Sequence, residues 1–415
     1  MKLLIKNIKS LIQVHEQPPM KICGASMKHL PCLDNAWLAI ENGIIVDFGK
    51  MDDWPGISDW TGLEVIDATG KLVFPCWVDA HTHIVYAGSR EGEFVDRING
   101  LSYEDIAARG GGILNSAQKM EAASEEELVK GALLRLEEVM RTGTGAIEIK
   151  SGYGLSTASE LKMLRVIKKL KELSPLTIKS TFLGAHAIPA AYKDNRRGYV
   201  DLLMNEMMPR IAEEKLADFC DVFCERNYFT KDETIELLEC GKRYGMIPKV
   251  HANQLSNSGG VQAGVKTGAI SVDHLEFVDE EEIAALKGSE TMPVILPGAQ
   301  WFLSLPYPPA RKMIDNGLPV AICSDYNPGS CPSGNMNFML SLACVQYKMT
   351  PEEAIHAATI NSAYAMGVSD ELGSIAVGKK ASIFITKEIP GYSFLPYAFA
   401  TDLVETVIVG GKKVN

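Results

Sequence analysis

The stretch LVFPCWVDAHTH, residues 72–83, runs from an apolar segment into two histidines, His81 and His83. The apolar part reads as a strand and the histidines mark its exit. Alternate residues of a strand share a face, so both imidazoles point the same way. An arginine, Arg90, follows seven residues after His83.

Seven further strand-like runs lie downstream: GAIEIK, LTIKSTFLGA, FCDVFC, MIPKVHA, AISVDH, MPVILPG and LPVAICSD. FCDVFC is short and is the weakest of the count. Helical segments alternate with them, and three begin with capping-box pairs: Ser124 with Glu127, Thr157 with Glu160, and Thr230 with Glu233. Eight β–α units predict a (β/α)8, TIM-like barrel in an α/β chain. The flanks read as β structure. LAIENGIIVDFG places Asn42-Gly43 between two apolar runs, a hairpin signal. ASIFIT and VETVIVGGKKV, with a turn at Gly410-Gly411, answer it near the other end. The expected organisation is a small β-sandwich domain built from residues 1–72 and 369–415 around a barrel of residues 73–368.

Composition sets limits. The 415 residues are 46% hydrophobic and 22% charged, which suits a soluble globular protein with a large core. Net charge is −11 with no basic block, which argues against nucleic acid as a partner. No apolar run has membrane length, and no secretory leader is evident. Nine scattered cysteines fit a reducing cytoplasm, and Cys220 and Cys224 read as buried strand residues.

In such barrels the active groups project from the C-terminal strand ends. Those ends carry His81 and His83, then Lys150 with Tyr153 just beyond, then His186, Glu225, His251, His274 and Asp325. Five of the eight histidines therefore sit at strand exits, which packing alone does not explain. His81, His83, His251 and Asp325 form a candidate set for Zn²⁺ or Fe²⁺ with a position left for water. Asp325 can also act as a base, or simply cap the next helix. His274 reads as a proton relay beside the metal or as a core histidine held by Asp273 or Glu276. His186 is placed to polarise a substrate carbonyl, or to pack. Lys150 reads as salt-bridged and is not counted as a ligand. Arg90 is either a carboxylate clamp or the partner of Glu91 and Glu93. Asn327, Gly329 and Ser330 lie in DYNPGS, an anion-binding turn or an ordinary one.

The motifs VDAHTHIVYAGSRE, EIKSGYGL, GAHAIP, KVHANQLSNSGG, SVDHLE, ILPG and SDYNPGS together resemble the amidohydrolase superfamily, and within it the imidazolonepropionase family of histidine degradation. The resemblance implies a cytoplasmic, metal-dependent hydrolase, a homodimer with one zinc or iron per chain, that opens the ring of 4-imidazolone-5-propanoate to N-formimidoyl-L-glutamate. It implies metal ligation by His81, His83, His251 and Asp325. It implies substrate contacts from Arg90, Tyr153, His186, Asn327, Gly329 and Ser330. Gln254 stands where some members carry a glutamate. An amide cannot move a proton at neutral pH. Gln254 is therefore expected to orient the substrate, leaving proton transfer to Asp325, with His274 and His186 beside it. The competing readings are a deaminase of a purine or pyrimidine ring and a non-catalytic scaffold barrel.

Overall fold

The computed structural model describes residues 2–58, 60–101, 105–106, 109–399 and 401–414. Two sheets organise them. The flanking sheet contains β1 (Lys2–Ile12), β2 (Cys32–Glu41), β3 (Ile44–Lys50), β4 (Leu63–Asp67) and β5 (Lys71–Pro75). The barrel strands are β6 (Trp77–Asp79), β7 (Thr144–Lys150), β8 (Thr177–Ala185), β9 (Phe219–Cys224), β10 (Ile247–Ala252), β11 (Ser271–His274), β12 (Met292–Ile295) and β13 (Ala321–Ile322). Then β14 (Ile383–Glu388), β15 (Val404–Val409) and β16 (Lys412–Lys413) return to the flanking sheet.

The flanking sheet runs β16-β15-β14-β5-β1-β2-β3, with β4 also paired to β1. Strand β14 lies antiparallel to β5, so the two ends of the chain are joined at the segment that feeds the barrel. The hairpin at Asn42-Gly43 forms, and both residues have positive φ, 51° and 82°, as a tight two-residue turn requires. It meets the Gly410-Gly411 turn directly. A Cβ on Gly43 would lie 2.6 Å from the Gly410 carbonyl oxygen, so a side chain there would force the two turns apart.

The barrel strands pair in parallel in sequence order, β6 through β13. The short run FCDVFC is a full strand with every residue buried, and Cys220 and Cys224 are among them. Closure between β13 and β6 happens just beyond the strands. Thr82 bridges Tyr326 in parallel, His83 N–H donates to the Tyr326 carbonyl at 2.9 Å, and Asp325 N–H donates to the His81 carbonyl at 3.1 Å. The seam that shuts the barrel thus sets Asp325 beside both histidines. Outside, the helix Glu125–Arg141 has the expected Ser124/Glu127 capping box, and the helix Lys231–Arg243 has that of Thr230/Glu233. The Thr157/Glu160 pair does not form. Ser156 caps that helix, and Glu160 is drawn into the interior instead. Among the described residues no helix is long and apolar enough to cross a membrane.

Candidate active site

The strand period places a polar layer inside the barrel. Glu148 and Lys150 on β7, Asp221 on β9, Lys249 and His251 on β10, and Ser271 and Asp273 on β11 are all buried. His81 and His83 lie above this layer. His251 Nε2 is 3.4 Å from His83 Nε2. Asp325 Oδ1 is 3.6 Å from His81 Nε2 and 3.6 Å from His83 Nε2.

The far side of each of two rings is fixed by an acid. His81 Nδ1 meets Asp273 Oδ2 at 2.6 Å, and His251 Nδ1 lies 2.9 Å from Asp221 Oδ2. A carboxylate only accepts, so His81 Nδ1 carries the hydrogen and its Nε2 presents a lone pair. Burial holds His81 and His83 well below the usual imidazole pKa, and it pulls His251 down to about 4 although Asp221 opposes it. These rings are neutral at pH 7. Burial raises Asp325 to about 6. For His274, burial works against the charged form, but Glu276, Asp325 and Asp273 outweigh it and its pKa is raised. His274 Nδ1 is 3.5 Å from Glu276 Oε1, and Glu276 in turn accepts from Gln300 Nε2 at 2.6 Å.

One cavity gathers His83, Arg90, Tyr153, His186, His251, Gln254, His274, Asp325, Asn327 and Ser330. Ile113 and Leu303, which the sequence did not single out, line it as well. Gln254 and Leu303 also line an outer groove of about 450 Å³, so they form part of the wall towards solvent. Backbone strain collects here: His274, Leu275, Asn253 and Asp325 have φ of 87°, 69°, 55° and 56°. Non-glycine residues in that region cost about 1–3 kcal/mol each and persist where surrounding contacts impose them.

Each loop is fastened by a buried side chain. Glu160 Oε1 accepts N–H bonds from Gly154 at 2.7 Å and Leu155 at 3.0 Å, and Oε2 accepts from Gly152 at 3.1 Å. This carboxylate holds the SGYGL loop and hence Tyr153. The Gly152 carbonyl then accepts from His186 Nδ1 at 3.0 Å. Burial lowers His186 to about 3, so the ring is neutral and Nε2 is a bare acceptor. Polarising a carbonyl needs a donor, which this tautomer does not present; His186 Nε2 can accept an N–H instead. Glu225 accepts from Leu255 N–H at 2.8 Å and from Ser256 N–H at 3.2 Å, and it fixes the loop that carries Gln254.

Arg90 is buried and paired with Glu93, which takes Nε at 2.8 Å and Nη2 at 2.6 Å. Of its two candidate acidic neighbours Arg90 takes Glu93, and it also lines the cavity. Its Nη1 lies against Gly329. Asn327 Oδ1 accepts from the N–H groups of Gly329 and Ser330, both at 2.8 Å, and Ser330 Oγ donates to Asp325 Oδ2 at 3.0 Å. The DYNPGS turn therefore braces Asp325 as well as facing the cavity.

Residues 72–414 match the model of the amidohydrolase family. The chain is 57% identical over 414 residues to the imidazolonepropionase of Christiangramia forsetii, covering all of both chains. It is 57% identical over 409 residues to that of Flavobacterium johnsoniae, covering 99% of each. It is 41% identical over 406 residues to that of Thermoanaerobacter pseudethanolicus, covering 98% of this chain and 96% of the relative. The chain belongs to the amidohydrolase family, among the imidazolonepropionases. Solved structures carry the same fold at low identity. E. coli guanine deaminase superposes with a TM-score of 0.76 at 14% identity, covering 100% of this chain and 99% of its own. A zinc-bound adenosine deaminase of Xanthomonas campestris gives 0.67 at 17%, covering 99% and 92%.

Amidohydrolases use a metal, and the donors here fit one. His81, His83 and Asp325 can offer atoms that all lie within 4.8 Å of one another, as can His81, His251 and His274. His81 Nε2 is buried with no hydrogen-bond partner, an orphan a cation would satisfy. Ligands at about 2.1 Å in a tetrahedron stand about 3.4 Å apart, the spacing found between His83 and His251. Lys150 is not part of this set. Its ammonium is bound by Glu148 at 2.5 Å and Asp221 at 2.8 Å.

Proposed function

We propose that the protein hydrolyses 4-imidazolone-5-propanoate to N-formimidoyl-L-glutamate, using one zinc or iron ion per chain, as a cytoplasmic homodimer. The observation that carries this reading is a buried arginine lining one cavity with His83, His251 and Asp325 of the metal set, in a chain whose full-length relatives bear that enzyme name. His81, His83, His251 and Asp325 would hold the ion. When bound, it lowers the pKa of water toward neutrality and so supplies a nucleophile at pH 7.

The chain's own groups do the rest. Arg90, oriented by Glu93, takes the propionate carboxylate. Tyr153 packs along the ring, and His186 Nε2 accepts a ring N–H. Gln254 donates from the opposite wall. Asp325 uses two oxygens for two tasks. Oδ1 faces the histidines, while Oδ2, held by Ser330, takes the proton of the attacking water and delivers it to the leaving ring nitrogen as the C–N bond opens. His274, beside Asp325 and backed by Glu276, shares that proton load. Orientation of water and ring together supplies a large part of the rate gain.

The test is the ultraviolet decay of 4-imidazolone-5-propanoate with metal-analysed protein, before and after chelation. Rapid, chelator-sensitive loss with N-formimidoyl-L-glutamate as product is expected. No loss at full metal content would reject this substrate and send the search to aminated rings.

A further inference from the structure

Beneath the proposed metal ligands lies a sealed ionic cluster that the reaction does not touch. It holds Lys150, Lys249, Glu148, Asp221 and Asp273, each with fully buried side chains. Lys150 Nζ binds Glu148 Oε1 at 2.5 Å and Asp221 Oδ2 at 2.8 Å, and lies 3.9 Å from Asp273 Oδ2. Those two aspartates are the acids that meet His251 and His81. Asp221 holds its histidine through Oδ1, which accepts the His251 backbone N–H at 3.1 Å, while its Oδ2 lies 2.9 Å from Nδ1. Asp273 Oδ1 is tied down by Ser271 Oγ at 2.6 Å.

Lys249 is differently employed. It binds Glu148, donates to the carbonyls of Ala80 at 3.0 Å and Ala365 at 3.3 Å, and comes no nearer than 4.0 Å to Asp273. Of the two ammonium groups, only Lys150 hydrogen-bonds an acid that orients a histidine. We propose that Lys150 is a positioning residue for the metal: it locks Asp221, and through it His251. Lys249 is a structural cation for the barrel floor. Outer partners of metal ligands commonly change affinity about 10–100-fold when removed, and Lys150 stands one step further out.

The inference rests on the metal reading above, and the two fail differently. Metal affinity of the purified full chain is measured by competition with a chromophoric chelator, using Zn²⁺ as the probe, alongside melting of the metal-free protein. A wild-type chain that binds no Zn²⁺ sinks the metal reading and this inference together. With wild-type binding in hand, Lys150→Met is expected to weaken Zn²⁺ about 10-fold or more, whereas Lys249→Met lowers the melting temperature and leaves Zn²⁺ affinity within about threefold. Equal losses of affinity in the two variants, or no loss in Lys150→Met, overturn it. If Lys150→Met does not fold, the paired variant Lys150→Met/Asp221→Asn removes a cation and an anion together. If Lys150 acts through Asp221, that variant binds Zn²⁺ as Asp221→Asn alone does. A further tenfold loss in the pair overturns the inference.

Discussion

Arg90 and Gly329 occupy adjoining space so tightly that a side chain on Gly329 would overlap the Arg90 guanidinium at Nη1. The arginine leads into the helix Glu91–Ile98, the glycine lies in the turn after Asp325, and Arg97 Nη1 donates to the Gly329 carbonyl at 3.0 Å. The contact couples the proposed carboxylate clamp to the turn that braces the proposed base.

Gly329→Ala should therefore push the guanidinium off its place against Glu93. The expected result is a KM raised about tenfold or more, near 1.4 kcal/mol, with a smaller fall in kcat and unchanged metal content. Steady-state kinetics with metal analysis checks it. An unchanged KM would detach Arg90 from substrate binding.

Glu160→Ala should slacken the loop of Tyr153 and, through Gly152, the ring of His186. Three backbone N–H groups lose their acceptor, each costing about 1–3 kcal/mol if it stays buried and unmet. A lower melting temperature and a kcat/KM reduced about 100-fold are expected. A variant that melts lower yet keeps full kcat/KM would limit Glu160 to stability.

Asp325→Asn should retain the fold while turnover falls about 10²–10⁴-fold, the range for loss of a general acid–base group. Single-turnover decay of substrate is the measurement. Substantial activity at full metal content would assign proton transfer elsewhere, with His274 the next group to replace.

Acid should destabilise the metal-free protein. His356, far from the cavity, is pulled to about 4 by burial, and His251 also to about 4. The unfolded chain titrates near 6.5, so below that pH it binds protons the folded chain refuses. The contribution of these two groups is full above about 6.5 and is lost as pH falls towards 4, at up to about 1.4 kcal/mol per pH unit for each. His356→Gln, whose amide can still donate to the His29 carbonyl, should flatten the slope by one group's share. Urea titrations between pH 7 and 4 decide this, and an equal slope in the variant would remove His356 from the account.

The strands were legible because strand burial is written locally: even FCDVFC, six residues long, is a full strand. The strand-end histidines were legible because the barrel puts chemistry at one rim. The supporting residues were not. Asp221 and Asp273 look like ordinary strand acids until β9, β10 and β11 are set side by side. Glu160 looked like a capping residue because the S/T-x-x-E spacing is local, yet three orphaned loop N–H groups outbid the helix end for its carboxylate. The His186 tautomer depends on the Gly152 carbonyl, 34 positions away in sequence, and no residue type announces it.

Strand β14 pairs with β5 immediately before the chain enters the barrel. During synthesis, β5 therefore emerges some three hundred residues before that edge is covered. The flank of β5 stays open until Ile383–Glu388 has left the ribosome. Contacts of such long sequence separation fold slowly. A chain halted before β14 would hold every proposed ligand and catalytic group and still expose the row of unpaired β5 backbone that invites aggregation.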